Sequence, residues 1–362
     1  MRILAVIGTR PEAIKMLPLI IELKKHPSFK VFVCSTGQHT DMLNGVFEYF
    51  NIEPDYSFCA MRKGQSLSEL TIRLLRYFDE ILVDANPDTV LVHGDTTSAF
   101  CASLSAFYKG IKIVHVEAGL RTFNKSSPFP EEFNRVAIDA VADICLAPTD
   151  KAKYNLDKEG KSAVFTTGNT VIDSLKYTLD SGYSSPILDD AGGRKIVLLT
   201  MHRRENLGDR MRSALLGVRD ILLLRDDLFC IFPCHPNPAV REVAEDCFAD
   251  IKNIKICEPL SIYDFHNILS RSFAVLTDSG GIQEEASFLG VPVFLLRDTT
   301  ERKEGEQSGN IALLGTDGRA VRDGFLSTVS DTETLSKMSK PSLVFGNGDA
   351  CEKIVKILLS SK

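Results

Sequence analysis

The chain has 362 residues, which is longer than one hydrophobic core usually organises, so we expect two domains. Its composition is typical of a globular protein, and a net charge of −6 argues against a broad nucleic-acid-binding face, which would have to be basic. The first apolar run is only five residues long and no window approaches the roughly 20 apolar residues of a membrane span, so we expect neither a secretory signal nor a membrane helix.

The first half of the chain alternates apolar runs with stretches of helical spacing. The predicted strands cover residues 3–8, 29–37, 88–95, 112–119 and 144–149, and the predicted helices cover residues 13–26, 67–86, 98–110 and 134–142. Such βα units indicate a parallel sheet with helices on both faces. Ligands of these sheets bind at the carboxyl ends of the strands, so the polar residues that follow each strand are the candidates for a site.

The first strand–helix turn reads GTRPEAIK, from Gly8 to Lys15. It is neither the G-x-G-x-x-G dinucleotide fingerprint nor a P-loop, so we expect no nicotinamide cofactor. Pro11 and Glu12 suit the first turn of a helix on structural grounds alone. Arg10 has no such explanation, and a guanidinium at the end of a strand suits a phosphate. Lys15, about one helical turn later, is predicted to reach the same phosphate, the alternative for both cations being surface charge.

Three acidic positions follow successive units of the first half. Asp95 ends the segment VLVHGD and Glu117 follows IVHV, while Glu131 and Glu132 open the next predicted helix after two prolines. Asp95 could instead cap the following helix, and acids are common at helix N-termini. Three acids at one edge of a sheet favour acid–base chemistry or a metal, and the absence of D-x-D spacing argues against a metal.

The pattern changes in residues 168–195, which hold one predicted helix and then a stretch rich in Gly, Ser and Asp. We predict that this segment connects two domains, residues 1–168 and 169–347. A second α/β series follows, with segments at residues 196–202, 213–224, 228–237, 254–259, 263–271, 273–281, 282–290 and 291–296. The chain ends in an amphipathic helix within residues 348–362, predicted to pack back across the domain junction. The fold class predicted is therefore α/β with two Rossmann-like halves.

Two histidines follow strands of the second half. His202 stands directly before Arg203 and Arg204, and this electropositive cluster favours a role in a site, although a lone histidine is more often structural. His235 lies in a proline-rich loop, CIFPCHP, and is the weaker candidate. The C-x3-C spacing there is wrong for zinc, and nine scattered cysteines indicate reduced thiols in a cytoplasmic protein.

The segment TDSGGIQEE places Ser279, Gly280 and Gly281 at the start of a predicted helix, where backbone N–H groups and the helix dipole favour an anion. A tight structural turn is the alternative. Glu284 and Glu285 are about 100° apart on a helix, so we expect only one of them to face a ligand. A carboxylate can bind the vicinal hydroxyls of a ribose, so a diphosphate beside a ribose satisfies both features. The segment therefore predicts a nucleotide, with Arg297 and Arg302 near the same edge.

The motifs occur together in a recognisable order. These are GTRPEAIKMLPL, HGDTT, HVEAGLRT, PEEFNR, GNTVID, HRREN and TDSGGIQEEA followed by RDTTER. They resemble the non-hydrolysing UDP-N-acetylglucosamine 2-epimerases. The resemblance implies a GT-B fold, in which two Rossmann-like domains face each other across a cleft. It also implies reversible conversion of UDP-GlcNAc to UDP-ManNAc without a cofactor, by elimination of UDP to 2-acetamidoglucal and re-addition. A homodimer and a place in cell-surface polysaccharide synthesis are further expectations.

The resemblance also suggests roles for individual residues. It assigns acid–base or catalytic work to Asp95, Glu117, Glu131 and His202. It assigns substrate binding to Arg10, Lys15, Phe265, Ser279, Gly280, Gly281, Glu285 and Arg302. The chain has Leu260 where some family members have a glutamine beside the uracil, so recognition of the base is less well defined than phosphate binding. Glu284 is left as a first-turn acid that complements the helix dipole.

Some members of the family bind a second UDP-GlcNAc as an activator. The matching set in this chain is Gln38, His39, Met42, Gln65, Arg203 and His235. Alternatives for the whole protein are a hydrolysing 2-epimerase, an epimerase of another UDP-2-acetamido sugar and a UDP-sugar sensor without activity. A glycosyltransferase of the same fold would not require the three acids.

Overall fold

A computed structural model of the protein describes residues 1–37, 41–62, 64–203, 206–298, 300, 302, 304–305 and 308–361, and only the backbone of residue 41. The chain forms two compact units. The first contains Met1–Lys176 and Phe345–Lys362, and the second contains Tyr177–Val344. The chain thus leaves the first unit once, builds the second, and returns.

The first unit is built on a parallel sheet, as the alternating pattern predicts. Its strands are β1 (Arg2–Ile7), β2 (Lys30–Ser35), β3 (Tyr56–Ser57), β4 (Thr89–His93), β5 (Lys112–Val116), β6 (Ile144–Ala147) and β7 (Val164–Thr166). Its helices up to the second unit are α1 (Arg10–Lys24), α2 (Asp41–Tyr49), α3 (Leu67–Ala85), α4 (Thr97–Tyr108), α5 (Glu131–Val141), α6 (Asp150–Lys158) and α7 (Thr170–Thr178). The strand order is β3-β2-β1-β4-β5-β6-β7, so β1, β4 and β5 are neighbours and their carboxyl ends share one edge.

Strand β1 shows why this sheet is buried on both faces. Ile3 to Ile7 are all fully buried. Leu4 and Val6 pack in a cluster with side chains of α3 and α4, and alternate residues of a strand face opposite sides, so Ile3 and Ile7 face the other helical layer. An unbroken apolar run is the pattern expected for such a strand.

The second unit repeats the architecture with a second parallel sheet. Its strands are β8 (Lys195–Thr200), β9 (Leu228–Pro233), β10 (Ile254–Cys257), β11 (Ala274–Thr277), β12 (Val293–Leu295) and β13 (Ile311–Leu313), in the order β10-β9-β8-β11-β12-β13. Its helices are α8 (Pro186–Asp189), α9 (Asp209–Leu224), α10 (Pro238–Phe248), α11 (Ile262–Ser270), α12 (Gly280–Leu289), α13 (Gly318–Ser330) and α14 (Thr332–Met338). The predicted pair of α/β domains is confirmed.

The last helix, α15 (Ala350–Ser360), belongs to the first unit and packs against α1. Its start is held by the buried Asp173, whose carboxylate accepts hydrogen bonds from the backbone N–H groups of Ala350 (3.2 Å) and Cys351 (3.0 Å). Gly168 and Gly346 both have positive φ, and a Cβ on Gly168 would lie 3.1 Å from the Gly346 Cα. The returning chain therefore passes close to α7 only because both positions are glycine.

Several elements have no counterpart in the sequence predictions. These are α2, β3, α6, β7, α8, α10, β13, α13 and α14. Strands β3, β7 and β13 and helix α8 have four residues or fewer, whereas α10 and α13 are helices of 11 and 13 residues. Among the described residues, no helix has the length and apolar character needed to cross a membrane.

Candidate active site

Three of the predicted site residues follow neighbouring strands of the first unit. Arg10 is the first residue of α1 after β1, Asp95 follows β4, and Glu117 follows β5 directly. Because β1, β4 and β5 are adjacent and parallel, their loops meet at the same edge of the sheet. The sequence order of the strands alone would not have placed β1 beside β4.

Glu117 occupies a strained backbone conformation, with a φ of 63°. A non-glycine residue in this region costs about 1–3 kcal/mol and persists only where the surroundings fix it. The Glu117 carboxylate pairs with the Lys15 ammonium and accepts from Asn169 Nδ2 at 2.5 Å, and His93 Nε2 lies 3.8 Å from it. Such strain at a strand end is common in functional sites.

The Lys15 side chain, which is predicted to reach a phosphate, pairs with the Glu117 carboxylate. Its side chain and that of Glu117 are each only 8% exposed, and the two form a buried ion pair. The predicted contact of Lys15 with a phosphate stays a prediction. If it occurs, the ammonium group serves both the phosphate and the carboxylate.

Asp95 does not cap the following helix, so the capping alternative is wrong. The cap of α4 is Thr96, whose hydroxyl accepts a hydrogen bond from Ala99 N at 3.1 Å. The Asp95 carboxylate instead pairs with the Arg135 guanidinium, and the Asp95 carbonyl accepts from Asn134 Nδ2 at 2.9 Å. Both partners come from α5, so α5 holds the loop that carries Asp95.

The two glutamates at the start of α5 have separate roles. Glu132 is buried, accepts from the backbone N–H groups of Thr122 (2.9 Å) and Phe123 (2.8 Å), and lies 3.2 Å from Arg135. Glu132 therefore stabilises the loop before α5. Glu131, the first residue of α5, is half-buried. Its predicted acid–base role is compatible with this position.

Glu12 is a buried member of the site region that the sequence analysis treated as a helix-dipole residue. Its carboxylate accepts from Gly8 N (3.1 Å) and the Thr9 hydroxyl (2.8 Å) on one oxygen, and from the Thr96 hydroxyl (2.9 Å) on the other. Burial raises the pKa of Glu12 to about 7, although these hydrogen bonds lower it, and the charge of Asp95 adds a smaller upward contribution. Glu12 thus connects the loop of Arg10 to the loop of Asp95.

In the second unit, the predicted anion site lies at the start of α12. Ser279 precedes the helix in an extended conformation, and its N–H donates to Thr277 Oγ1 at 3.0 Å. Gly280 and Gly281 open the helix, and N–H groups of a first helical turn are suited to an anion. A Cβ on Gly281 would have no neighbour within 4 Å, so this position is open.

The assignment of Glu284 as a first-turn dipole residue is wrong. Glu284 is buried and accepts a hydrogen bond from Arg302 Nε at 2.6 Å. A Cβ on Gly280 would lie 2.5 Å from Arg302 Nη1, so the guanidinium occupies the space that only glycine leaves. Glu284 and Gly280 together place a buried cation beside the start of α12.

Two more of the predicted nucleotide residues lie on α11 and α12, Phe265 on the first and Glu285 on the second. Glu285 is buried with its carboxylate 3.6 Å from His266 Nε2, and His266 Nδ1 is 2.7 Å from the Thr178 hydroxyl. Phe265 and Leu260 are partly buried against the cluster that includes this layer. Glu285 is thus positioned by its neighbours, and its predicted contact with a ribose stays a prediction.

His202 and Arg203 lie in the loop after β8, and the buried Asp278 fixes that loop. The Asp278 carboxylate accepts from the backbone N–H groups of His202 (3.1 Å) and Arg203 (2.9 Å) and from Asn206 Nδ2 (3.0 Å). The His202 ring is exposed and stacks on His235 at a centroid distance of 6.1 Å. Burial, with a smaller effect from His202, lowers the pKa of His235.

The predicted activator residues are only partly described. Gln38 and His39 lie outside the described residues. Met42 Sδ is 3.6 Å from an Arg10 guanidinium nitrogen, so α2 contacts the β1–α1 turn. Gln65 accepts from Arg73 at 3.4 Å and donates to Met61 Sδ at 3.3 Å, in the segment before α3.

Local sequence signals existed for some of the missed residues. Thr9 and Glu12 form a T-x-x-E pattern, which is typical of a helix start. Asp278 directly follows the strand before the predicted anion site, which is the position at which ligands or their supports collect. Arg135 and Asn169 had no such signal, because their partners lie far away in sequence. In the part of the chain that the structure describes, no cluster of three His, Cys, Asp or Glu side chains is arranged to hold a metal ion.

Comparison with known proteins identifies the family. A sequence model of the UDP-N-acetylglucosamine 2-epimerase family matches residues 21–359. A protein of Bacillus subtilis (strain 168) named UDP-N-acetylglucosamine 2-epimerase is 48% identical over 361 residues, which cover 99% of this chain and 95% of that protein.

Two solved structures are similar over the full length. The UDP-GlcNAc 2-epimerase of Neisseria meningitidis bound to UDP-GlcNAc has a TM-score of 0.95 and 40% identity, covering 99% of this chain and 100% of that one. The enzyme of Methanocaldococcus jannaschii in complex with UDP-GlcNAc and UDP has a TM-score of 0.88 and 33% identity, with the same coverage. The chain belongs to the UDP-N-acetylglucosamine 2-epimerase family.

Proposed function

We propose that this protein interconverts UDP-GlcNAc and UDP-ManNAc by elimination and re-addition of UDP. A base removes the C2 proton of the sugar while the C1–oxygen bond to the diphosphate breaks, which yields UDP and 2-acetamidoglucal. A phosphate oxygen of UDP then re-forms the bond to C1, and a proton reaches C2 on the opposite face. No hydride is transferred, which agrees with the absence of a dinucleotide fingerprint.

The single observation that carries this assignment is the pair of carboxylates at the end of β4 and β5. Asp95 and Glu117 follow adjacent strands, and each is held by side chains from other elements. Removal of a proton from one face and delivery to the other require at least two acid–base groups in fixed positions. We assign Glu131, at the start of α5, to the same proton transfers. Which of the three acids removes the proton and which delivers it is left open.

We assign the UDP group to the residues around α12. The N–H groups of Gly280 and Gly281 and the Arg302 guanidinium are suited to a diphosphate, and they would also stabilise it as a leaving group. We assign Glu285 to the ribose and His202 to the diphosphate and sugar. Support comes from the two relatives of known structure, which are complexes with UDP-GlcNAc and with UDP-GlcNAc and UDP.

Arg10 and Lys15 are assigned to the phosphates from the first unit, and Ser279 is assigned to the same group through its hydroxyl. Phe265 is assigned to the uracil, with Leu260 nearby. The Lys15 ammonium already contacts the Glu117 carboxylate, so a bound phosphate would compete with Glu117 for it. Such competition would connect departure of the diphosphate to the charge on an acid–base residue.

An NMR time course with UDP-GlcNAc in deuterated buffer tests the reaction. Deuterium at C2 of the recovered UDP-sugar, with both epimers present, is the expected outcome. Lasting release of UDP with free sugar would show a hydrolysing 2-epimerase instead. Turnover only with another UDP-2-acetamido sugar would change the substrate, and binding without C2 exchange would show an inactive sensor.

The Asp95→Asn variant tests the acid–base assignment, with Asp250→Asn at an exposed position as the matched control. Loss of a positioned acid or base typically lowers the rate by a factor of about 10²–10⁴. We expect this loss in kcat for Asp95→Asn, with UDP-GlcNAc affinity by calorimetry nearly unchanged, and no change for the control. Full turnover in Asp95→Asn would remove Asp95 from the mechanism.

We also propose that a second UDP-GlcNAc binds near the substrate and activates the enzyme. The residues assigned to it touch residues assigned to the substrate: His235 stacks on His202, and Met42 contacts Arg10. Gln38, His39, Gln65 and Arg203 complete the assigned set. Initial rates against UDP-GlcNAc should be sigmoidal, and His235→Ala should make them hyperbolic. Hyperbolic rates in the unchanged protein would refute activation.

A homodimer is proposed as well. Helices α3, α4 and α5 pack side by side, and their outer surfaces expose large apolar side chains, including Val83 (70%), Tyr108 (74%) and Phe133 (50%). We assign the exposed apolar side chains of these three helices to the dimer interface. Sedimentation equilibrium should give twice the chain mass, and Tyr108→Glu with Phe133→Glu should give monomers.

The location and pathway are proposed on general grounds. All nine cysteines are free thiols, which suits a reducing compartment such as the cytoplasm. A UDP-ManNAc product would supply precursors for a cell-surface polysaccharide. Cell fractionation with an antibody to the chain, and loss of ManNAc-derived sugars from the cell surface on gene deletion, test these two proposals.

A further inference from the structure

A completely buried histidine lies beneath the two strand-end acids. His115, in β5, has Nδ1 2.6 Å from Asp139 Oδ1 and Nε2 2.7 Å from the Gly94 carbonyl oxygen. A carboxylate and a carbonyl only accept hydrogen bonds, so both ring nitrogens must carry a hydrogen. These two contacts match an imidazolium ion, which donates from both ring nitrogens.

Asp139 is a carboxylate because its second oxygen also faces donors. Asp139 Oδ2 lies 2.8 Å from the Arg121 guanidinium and accepts from Gly119 N at 3.2 Å. Burial would raise the pKa of Asp139, but the charges and hydrogen bonds of His115 and Arg121 outweigh it and hold the pKa below its usual value. Arg121 also binds Glu159 through two nitrogens, at 2.8 and 2.6 Å.

The four side chains form an alternating sequence of two cations and two anions. The charges of His115, Asp139 and Arg121 are buried, and each is offset by a neighbour of opposite sign, whereas Glu159 is exposed. His115 and Asp139 are both completely buried, so solvent does not screen their attraction. Charge-assisted hydrogen bonds of this kind are shorter and about twice as strong as neutral ones.

The His115–Asp139 pair contacts both loops that carry the strand-end acids Asp95 and Glu117. The Gly94 carbonyl, which His115 binds, directly precedes Asp95, and Gly94 N donates to the Val116 carbonyl at 2.9 Å. Gly94 has an uncommon φ of 63°, and these hydrogen bonds hold both its carbonyl and its N–H group. At the other loop, Asp139 binds the N–H of Gly119, two residues after Glu117.

We propose that the buried His115–Asp139 ion pair is a positioning device that sets Asp95 and Glu117 relative to each other. The role in catalysis rests on the proposed epimerase function, in which these two carboxylates carry protons. Misplacing a reacting group by about 1 Å can cost about 100-fold in rate, so a rigid charged pair beneath the acids has a kinetic consequence.

The charge on His115 is tested by NMR of protein with ¹⁵N-labelled histidine, and this test does not depend on any activity. The His115 signals are identified by their loss in His115→Gln. We expect both ring nitrogens to carry protons. In Asp139→Asn, the ring should become neutral with its hydrogen on Nε2, since the Asn amide can donate to Nδ1. A singly protonated His115 in the unchanged protein would overturn the inference.

The positioning role is tested by kinetics. In His115→Gln the side-chain amide can bind the Gly94 carbonyl, but its oxygen then faces the Asp139 carboxylate. We expect kcat to fall about 100-fold with KM for UDP-GlcNAc unchanged. In the double variant with Asp139→Asn, the new amide can donate to the glutamine oxygen, and kcat should recover at least tenfold. A parallel loss of kcat and UDP-GlcNAc affinity, or an unchanged kcat, would contradict the positioning role.

Asp143→Asn is the matched control, because Asp143 accepts from Ile113 N at 2.7 Å near the other end of β5. Its kcat should stay unchanged. Thermal melts and retained UDP binding establish that each variant is folded. If the unchanged protein shows no turnover, the proposed epimerase function fails, whereas the NMR result on His115 still stands by itself.

Discussion

Glu12 provides a prediction whose magnitude follows from the structure. Its carboxyl group is 3% exposed, and burial raises its pKa from 4.5 to about 7. The protonated form therefore persists to a higher pH in the folded protein than in the unfolded chain. Replacement by Gln keeps this neutral form, since the amide oxygen can accept from Gly8 N and the Thr9 hydroxyl while the amide nitrogen faces Thr96.

The sign follows from linkage. A group whose pKa is higher in the folded state than in the unfolded state contributes stability below the unfolded pKa, and this contribution is lost as the pH rises through the folded pKa. For Glu12 the loss runs from pH 4.5 to about 7, and at about 1.4 kcal/mol for each pH unit it amounts to about 3 kcal/mol. Glu12→Gln removes this dependence.

Urea unfolding of both proteins at half-unit steps from pH 4 to pH 8.5 measures the effect. The difference in unfolding free energy between the two proteins should be constant below pH 4.5. It should then move in favour of Glu12→Gln by up to about 3 kcal/mol by pH 8. Other groups, including Asp95, are common to both proteins and largely cancel. Parallel curves across the whole range would refute the raised pKa of Glu12.

Three further predictions concern single contacts. Gly280→Ala and Gly281→Ala should both weaken UDP binding about tenfold by calorimetry. Only Gly280→Ala should also lower Tm, because its Cβ collides with the Arg302 guanidinium, whereas a Cβ at position 281 meets nothing within 4 Å. Unchanged affinity in Gly281→Ala would refute the anion site. Asp278→Ala leaves three donors of the β8–α9 loop without their acceptor. It should lower the free energy of unfolding in urea by about 2–3 kcal/mol and speed amide hydrogen exchange at His202. Unchanged exchange at His202 would contradict the role of Asp278. Asp173→Ala should lower the free energy of unfolding by about 1–2 kcal/mol and speed amide hydrogen exchange at the start of α15. Faster exchange in other helices but not in α15 would contradict the role of Asp173 at this helix start.

Much of the site could be located from the sequence, because strand-end positions in parallel α/β folds are predictable from apolar runs. Arg10, Asp95 and Glu117 were all found in this way, and the structure places them after β1, β4 and β5. Their partners could not be found. Arg135 is 40 residues from Asp95 and Lys15 is 102 residues from Glu117, and no local periodicity reports pairs at such separations.

The sequence by itself determined that the chain has two α/β halves, that polar motifs follow their strands, and which family these motifs resemble. Only the tertiary structure decided how each charged group is used. Glu284 reads as a helix-dipole residue but binds Arg302 in the interior, and Glu12 reads as a first-turn acid but joins two loops. His115 reads as one polar residue in an apolar strand, yet it is the centre of a buried ion pair. The reason is physical: apolar periodicity is a local property, whereas the partner of a buried charge is chosen by strands and helices that meet only in the folded protein.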